Sequence, residues 1–232
     1  MLDRLKKLSF DSLNKGADYY GLGLTLGGGE VTLLELVRAY STLARSGTFK
    51  KEKIFLEIND IQGKAKPLPQ DEPVRLFSPQ VSYIITDILA DSDARIPAFG
   101  EGSVLSLPFA CTVKTGTSGN FRDNWAIGYT PHYTVGVWVG NFDGKPMRNV
   151  SGVSGAGPLF RDIMLLLEKR ERRINSNFAI PEGLIEIYVC PRSGMLAGSS
   201  CPGKIKEIFI KGTEPKKVCN LCSVVGSSTL SL

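Results

Sequence analysis

Apolar positions follow two rhythms along this chain, one of helical spacing and one of strand-like alternation. Residues 3 to 8 mix charged and apolar side chains at helical spacing, which predicts a helix at the start of the chain. Thr32-Leu33-Leu34-Glu35 has capping-box spacing, and Leu33, Leu36, Val37, Tyr40 and Leu43 follow on one helical face until Ser46-Gly47. Lys50 to Asp71 reads as two short exposed strands or a hairpin, with turns around Asn59-Asp60 and Gly63. Ser78-Pro79 opens a helix carrying Val81, Ile84, Ile85, Ile88 and Leu89 on one side. Ile96 to Ser103 reads as a loop. Leu107 to Lys114, Asn124 to Tyr129 and Tyr133 to Asn141 alternate as strands joined by short turns, which predicts an antiparallel meander. After a glycine loop at Gly152 to Gly157, Pro158 to Arg173 predicts an amphipathic helix with Leu159, Phe160, Ile163, Met164 and Leu167 inward. Its basic end, Lys169 to Arg173, reads as a solvated face. The pattern changes at a linker around Asn175 to Pro181, and short strands are expected at Leu184 to Val189 and Ile205 to Ile210.

Composition narrows the possibilities. With 42% hydrophobic and 22% charged residues, the 232-residue chain can fill a core, which excludes disorder as its main state. No stretch approaches the roughly 18 apolar residues of a membrane span, and Met1 to Lys7 lacks the apolar region of a signal peptide. Tyr19 to Glu30 is glycine-rich but fits neither GxGxxG nor the Walker pattern, so a tight, buried turn is expected. The net charge of +5 reads as a solvated basic surface. A zinc-bearing nucleic-acid binder is disfavoured, because the basic residues are scattered and few aromatics lie among them. The single histidine, His132, excludes metal motifs that need two, and its setting in Tyr129-Thr130-Pro131-His132-Tyr133 reads as an exposed turn.

Of the five cysteines, Cys111 lies in an apolar run and reads as a small buried hydrophobe. Cys190, Cys201, Cys219 and Cys222 share a short C-terminal window. They are candidates for disulfides or for a four-thiolate metal site. Only Cys219 and Cys222 form a close pair, and the spacing does not choose between these readings.

Lys114-Thr115-Gly116-Thr117-Ser118 closes the first strand of the meander. Joined to Asp123-Asn124-Trp125-Ala126-Ile127-Gly128-Tyr129-Thr130-Pro131 and Val135-Gly136-Val137-Trp138-Val139-Gly140, it resembles the end of a penicillin-binding transpeptidase domain. Leu26 to Leu36 resembles the helix start upstream of that strand in the class A enzymes, and the cysteine-bearing tail is similar to the C-terminal domain of the penicillin-binding protein 1C type. The resemblance implies an α+β fold: part of a serine β-lactamase-like transpeptidase with an antiparallel sheet and helices, followed by a small β-rich domain. The expected limits are 1–175, 176–222 and a flexible tail at 223–232. It also implies acyl transfer in peptidoglycan cross-linking, with no cofactor. Lys114 would bring positive charge to the cleft. Gly116, on the same strand face as Lys114, would let the substrate backbone approach. Thr115 and Thr117 would bind the terminal carboxylate, and the Thr117 N–H would form half of an oxyanion hole. Trp125 reads as sheet packing.

The family works with SxxK and SxN beside KTG. Ser12-Leu13-Asn14-Lys15 formally matches both, but one serine cannot be nucleophile and relay together. Both motifs are therefore expected upstream of Met1, with this chain a C-terminal fragment that is inactive alone. The implied partners are stem peptides and β-lactams in the complete protein, the missing N-terminal half and other cell-wall synthesis proteins, without nucleic acid. The implied location of the parent protein is the extracytoplasmic side of the inner membrane, where disulfides are permitted. That setting makes Cys190–Cys201 and Cys219–Cys222 candidate bridges, although a bridge across CxxC closes a tight loop more typical of redox or metal sites. A non-catalytic cell-wall or partner-binding module is the alternative.

Overall fold

The computed structural model describes residues 1–68, 71–171 and 176–224. The chain opens with helices α1 (Leu2–Lys7), α2 (Ala17–Tyr20) and α3 (Leu33–Ala44). Thr32 caps α3 as expected: its hydroxyl accepts the Glu35 N–H, and Glu35 Oε2 accepts the Thr32 N–H at 2.7 Å. The other carboxylate oxygen of buried Glu35 accepts the Ser12 N–H at 2.8 Å, tying the turn after α1 to α3. Leu2, Leu8, Phe10, Leu13 and Leu24 form a small core there. The glycine-rich stretch corrects the sequence reading, because it is a mostly exposed 3₁₀ turn at Gly21–Leu26. Leu22 and Leu26 are 88% and 92% exposed while Leu24 is buried. At three residues per turn, positions 22, 24 and 26 point to three different sides, so one face can bury only one of them.

Four two-residue strands follow: β1 (Thr48–Phe49), β2 (Ile58–Asn59), β3 (Ala65–Lys66) and β4 (Val74–Arg75). β2 and β3 make the expected exposed hairpin, and β1 pairs antiparallel with β4. Helix α4 (Pro79–Ala90) starts where Ser78 accepts the Val81 N–H. Its orientation departs from the apolar pattern. Ser82 and Thr86 are buried, whereas Val81, Ile85 and Ile88 are 41%, 37% and 62% exposed. The reason is a polar contact: the Thr86 hydroxyl lies 2.7 Å from the buried Tyr129 hydroxyl, so α4 docks through its small-residue stripe. A short helix, α5 (Ile96–Phe99), stands where a loop was expected.

Strands β5 (Lys114–Thr117), β6 (Asp123–Tyr129) and β7 (Thr134–Gly140) form the antiparallel meander, in that order. The strand expected from Leu107 begins only at Lys114. The Thr112 N–H still bonds Tyr129 O at 2.9 Å, but the Tyr129 N–H goes to the Thr112 hydroxyl, and the Val113 N–H goes to Leu89 O in α4. A side chain and a helix thus take the ladder's partners. Helices cover both sheet faces. A Cβ on Gly136 would lie 2.5 Å from Val37 of α3. On the opposite face, one on Gly128 would lie 2.9 Å from Phe160 of α6 (Ala156–Glu171) and 1.9 Å from Thr112 O. The Ala156, Phe160, Met164 and Glu168 stripe of α6 is fully buried. Leu159, expected inward, is 51% exposed because it sits about 100° round the helix from Phe160. Glu168 accepts a 2.5 Å hydrogen bond from the Thr130 hydroxyl.

The compact units are Met1–Phe178 and Ala179–Leu232. Phe178 belongs to the first because its ring packs edge-on against Tyr129. In the second, β8 (Leu184–Val189) pairs antiparallel with β9 (Ile205–Ile210), followed by α7 (Leu221–Val224). Of the expected tail, 225–232 lie outside the described residues, as do the last residues of the basic run, 172–173. Among the described residues, no helix is long and apolar enough to cross a membrane.

Burial alone would raise the Glu35 pKa, but the Thr32 and Ser12 donors outweigh it and hold the carboxyl below its ordinary value of 4.5. A depressed carboxyl contributes stability that is present above the unfolded-state value and is lost as pH falls through the folded one. Acid titration of unfolding is therefore expected to show a loss below pH 4.5. Glu35→Gln should flatten that loss and lower stability at neutral pH by about 1–3 kcal/mol; an unchanged acid slope would contradict this. Gly128→Ala, with its Cβ driven into Thr112 O, is expected to cost about 3 kcal/mol or more, read from the thermal unfolding midpoint.

Candidate active site

β5 has one partner, β6, and its other edge is open within the sheet. The N–H groups of Thr112 and Ser118 bond β6 residues, at 2.9 Å each, so alternation points the Thr115 and Thr117 N–H and C=O groups away from β6. Side chains alternate by the other rule: Thr115 and Thr117 share one face, and Lys114 and Gly116 the other. Lys114 is exposed, and its ammonium donates to Thr115 O at 2.5 Å, on that outward edge. Gly116 lies opposite Trp125, where an added Cβ would meet the indole side chain at 3.5 Å.

Two supports of this strand were not singled out as functional from the sequence. The first is Gly152. Its N–H donates to the Thr117 hydroxyl at 2.9 Å, and a Cβ there would stand 2.5 Å from Gly116 O and 2.8 Å from Trp125 O. The 150–155 loop can therefore lie against the strand pair only with glycine at 152. The bond uses a lone pair of the Thr117 oxygen, so the hydroxyl proton is directed elsewhere. The second support is Asp123. Ser118 donates its hydroxyl to Asp123 Oδ2 and accepts the Asp123 N–H, both at 2.8 Å, while the Trp138 indole donates to Oδ1 at 2.9 Å. This clamp sets the β5–β6 turn. A glycine loop and a Ser-x4-Asp spacing were legible, but what they touch was not.

The remaining candidates lie elsewhere. Ser12 sits in an irregular turn with its N–H held by Glu35, and Lys15 is not one helical turn away on the same face. His132 is exposed, and its Nε2 is 2.8 Å from Ser176 Oγ. Cys111 is buried, and burial pushes its thiol up to about 12, with Arg95 opposing. A shallow depression of about 230 Å³ between Lys50 and Asp71 contains none of these residues. In the second unit, Cys190, Cys201, Cys219 and Cys222 place their sulfurs within 4.8 Å of one another, with all four thiols free. Burial would raise the Cys190 thiol, but the Arg192 and Ser193 N–H groups outweigh it and hold it at about 6. Burial and the neighbouring sulfurs push Cys222 up to about 12.

Helices on both faces of an antiparallel sheet, with Lys-Thr-Gly on its edge strand, define a serine β-lactamase-like transpeptidase fold. The sequence profile of the penicillin binding protein transpeptidase domain matches residues 11–165, and that of the penicillin-binding protein 1A C-terminal domain matches residues 180–223. The chain belongs to the penicillin-binding protein transpeptidase family. It is 32% identical to penicillin-binding protein 1A of Aquifex aeolicus over 93% of this chain and 28% of that protein. Penicillin-binding protein 1A from Haemophilus influenzae shares the fold with a TM-score of 0.68 at 19% identity, over 94% of this chain and 36% of that one. The PonA1 protein from Mycobacterium tuberculosis in complex with penicillin V matches with a TM-score of 0.53 at 24% identity, over 68% of this chain and 43% of that one. The chain spans about a quarter of the length of the curated relatives it matches, 24% and 28% for the first two.

Thr117→Val removes the acceptor of the buried Gly152 N–H, an expected loss of about 1–3 kcal/mol. Amide exchange should accelerate at 150–155 in this variant and stay near wild type in Thr117→Ser. Equal protection in both would show that the loop does not depend on this bond.

Proposed function

We propose that the chain supplies the substrate-binding edge of a peptidoglycan D,D-transpeptidase. The observation that carries this reading is β5, an edge strand bearing Lys114-Thr115-Gly116-Thr117, with the Thr115 and Thr117 backbone groups turned outward. A stem peptide ending in D-Ala-D-Ala would add to that edge as a further strand. The Thr117 N–H would donate to the carbonyl oxygen as it gains charge, and the Thr115 and Thr117 hydroxyls with the Lys114 ammonium would hold the terminal carboxylate. A serine oxygen attacks the carbonyl, D-alanine leaves with the transferred proton, and the amine of a second stem displaces the serine to form the cross-link. A β-lactam would acylate the same serine.

That serine and its SxxK lysine are assigned to a segment outside these residues, as is the SxN relay. Ser12 lacks the helical setting that places SxxK serine and lysine together. This proposal carries the family's extracytoplasmic location with it. The outward apolar face of α4, at Val81, Ile85 and Ile88, supports a further protein segment covering this unit. The same face favours the second reading, a binding module without catalysis.

Intact mass after incubation with a reactive penicillin separates these readings. The chain alone is expected to stay unmodified. Mixed with a separately made polypeptide carrying SxxK and SxN, it should promote an adduct on that polypeptide. Lys114→Ala should slow the adduct by about tenfold to a hundredfold, the worth of a hydrogen bond to a charged group. No adduct in the mixture would leave the binding-module reading, and an adduct at Ser12 would overturn the assignment of the nucleophile.

A further inference from the structure

We propose that Cys190, Cys201, Cys219 and Cys222 bind one zinc ion in tetrahedral thiolate coordination, and that this ion is the structural core of the C-terminal unit. The proposal does not depend on the transpeptidase reading, and it assigns the metal no part in acyl transfer.

The geometry is the first argument. Four sulfurs about 2.3 Å from one zinc lie about 3.8 Å apart at tetrahedral angles. Cys190 and Cys222 have their sulfurs 3.6 Å apart, and Cys219 and Cys222 theirs 3.8 Å apart. All four lie within 4.8 Å of one another. Two independent bridges would require two close pairs, not convergence of four sulfurs on one point.

The backbone explains how widely spaced cysteines meet. Leu196 bridges Val189 on one side and Val218 on the other. Cys190 and Cys219 directly follow the two bridged residues, so one short stretch around Leu196 anchors both segments. The turn between Val189 and Leu196 is closed by Gly194 N–H to Cys190 O and Cys190 N–H to Met195 O, both 2.8 Å, with Gly194 at φ +67°. Glycine adopts that conformation without strain. Cys222 comes from the start of α7, three residues after Cys219.

The unit also has little else to fold around. Among the described residues after Phe178, the buried apolar ones are Val189 and the cysteines Cys190, Cys219 and Cys222, with Met195 and Cys201 packed against the sulfurs. A unit of this size without a larger core needs a cross-link or a metal.

The test uses the purified 232-residue chain. Elemental analysis is expected to give one zinc per chain. Replacing zinc with cobalt(II) should give the visible bands of a tetrahedral site and strong thiolate-to-cobalt charge transfer. In Cys201→Ser, the charge-transfer intensity should fall in proportion to three thiolates instead of four, while Cys111→Ser should keep it whole. Stripping the metal should abolish amide protection across β8 and β9 and leave β5–β7 protected. A metal-free chain whose mass shows two disulfides would overturn the proposal. So would iron in place of zinc, a six-coordinate cobalt spectrum, or unchanged protection of β8 and β9 after stripping.

Discussion

Strand β6 is paired on both sides and covered on both faces, and this leaves β5 held by a single edge. The arrangement around the candidate site depends on that asymmetry. An unpaired edge is usually a liability, because its backbone groups invite other strands. Here the edge is four residues long and carries a lysine and a glycine, which limits unspecific pairing. Its rigidity comes from behind. Ser118 and Asp123 close the turn into β6, and Gly152 is locked to the Thr117 hydroxyl. The binding proposed for this edge would need little ordering of the protein, since the strand is already placed.

Buried polar contacts decide how the helices dock. Thr86 meets Tyr129, Thr130 meets Glu168, and Glu35 gathers the N–H groups of Thr32 and Ser12. Each contact satisfies groups that would be expensive to bury alone. Each also selects one rotation of a helix, where apolar packing by itself would accept several. The rotation of α4 shows the consequence. Its buried face is built from Ser82 and Thr86, and its isoleucines are left outside.

The C-terminal unit follows a different logic. Two paired strands give it regular backbone but almost no apolar interior, and its buried centre is made of sulfur. The first unit encloses Phe160, Met164 and Tyr129 between layers and needs no such centre. One chain thus combines two solutions to the entropy of folding, burial of apolar area in one unit and convergence of cysteines in the other.

What the sequence determined by itself was local. The capping box at Thr32–Glu35, the Ser78-Pro79 helix start, the β8 and β9 segments and the β5–β7 meander depend on neighbours a few residues away, and their residues state those preferences directly. The Lys114–Thr117 motif was legible for the same reason. Only the tertiary structure decided which face α4 buries, where the strand before Lys114 breaks and which cysteines meet. Isoleucines 85 and 88 look like core on the pattern alone; the contact of Thr86 with the Tyr129 hydroxyl, 43 residues from it, turns them outward. Cys190 and Cys201 are ten intervening residues apart, and nothing in that interval announces that Leu196 will bridge two segments or that four sulfurs will converge. Such outcomes rest on contacts between residues far apart in sequence, whose partners exist only once the chain has closed on itself.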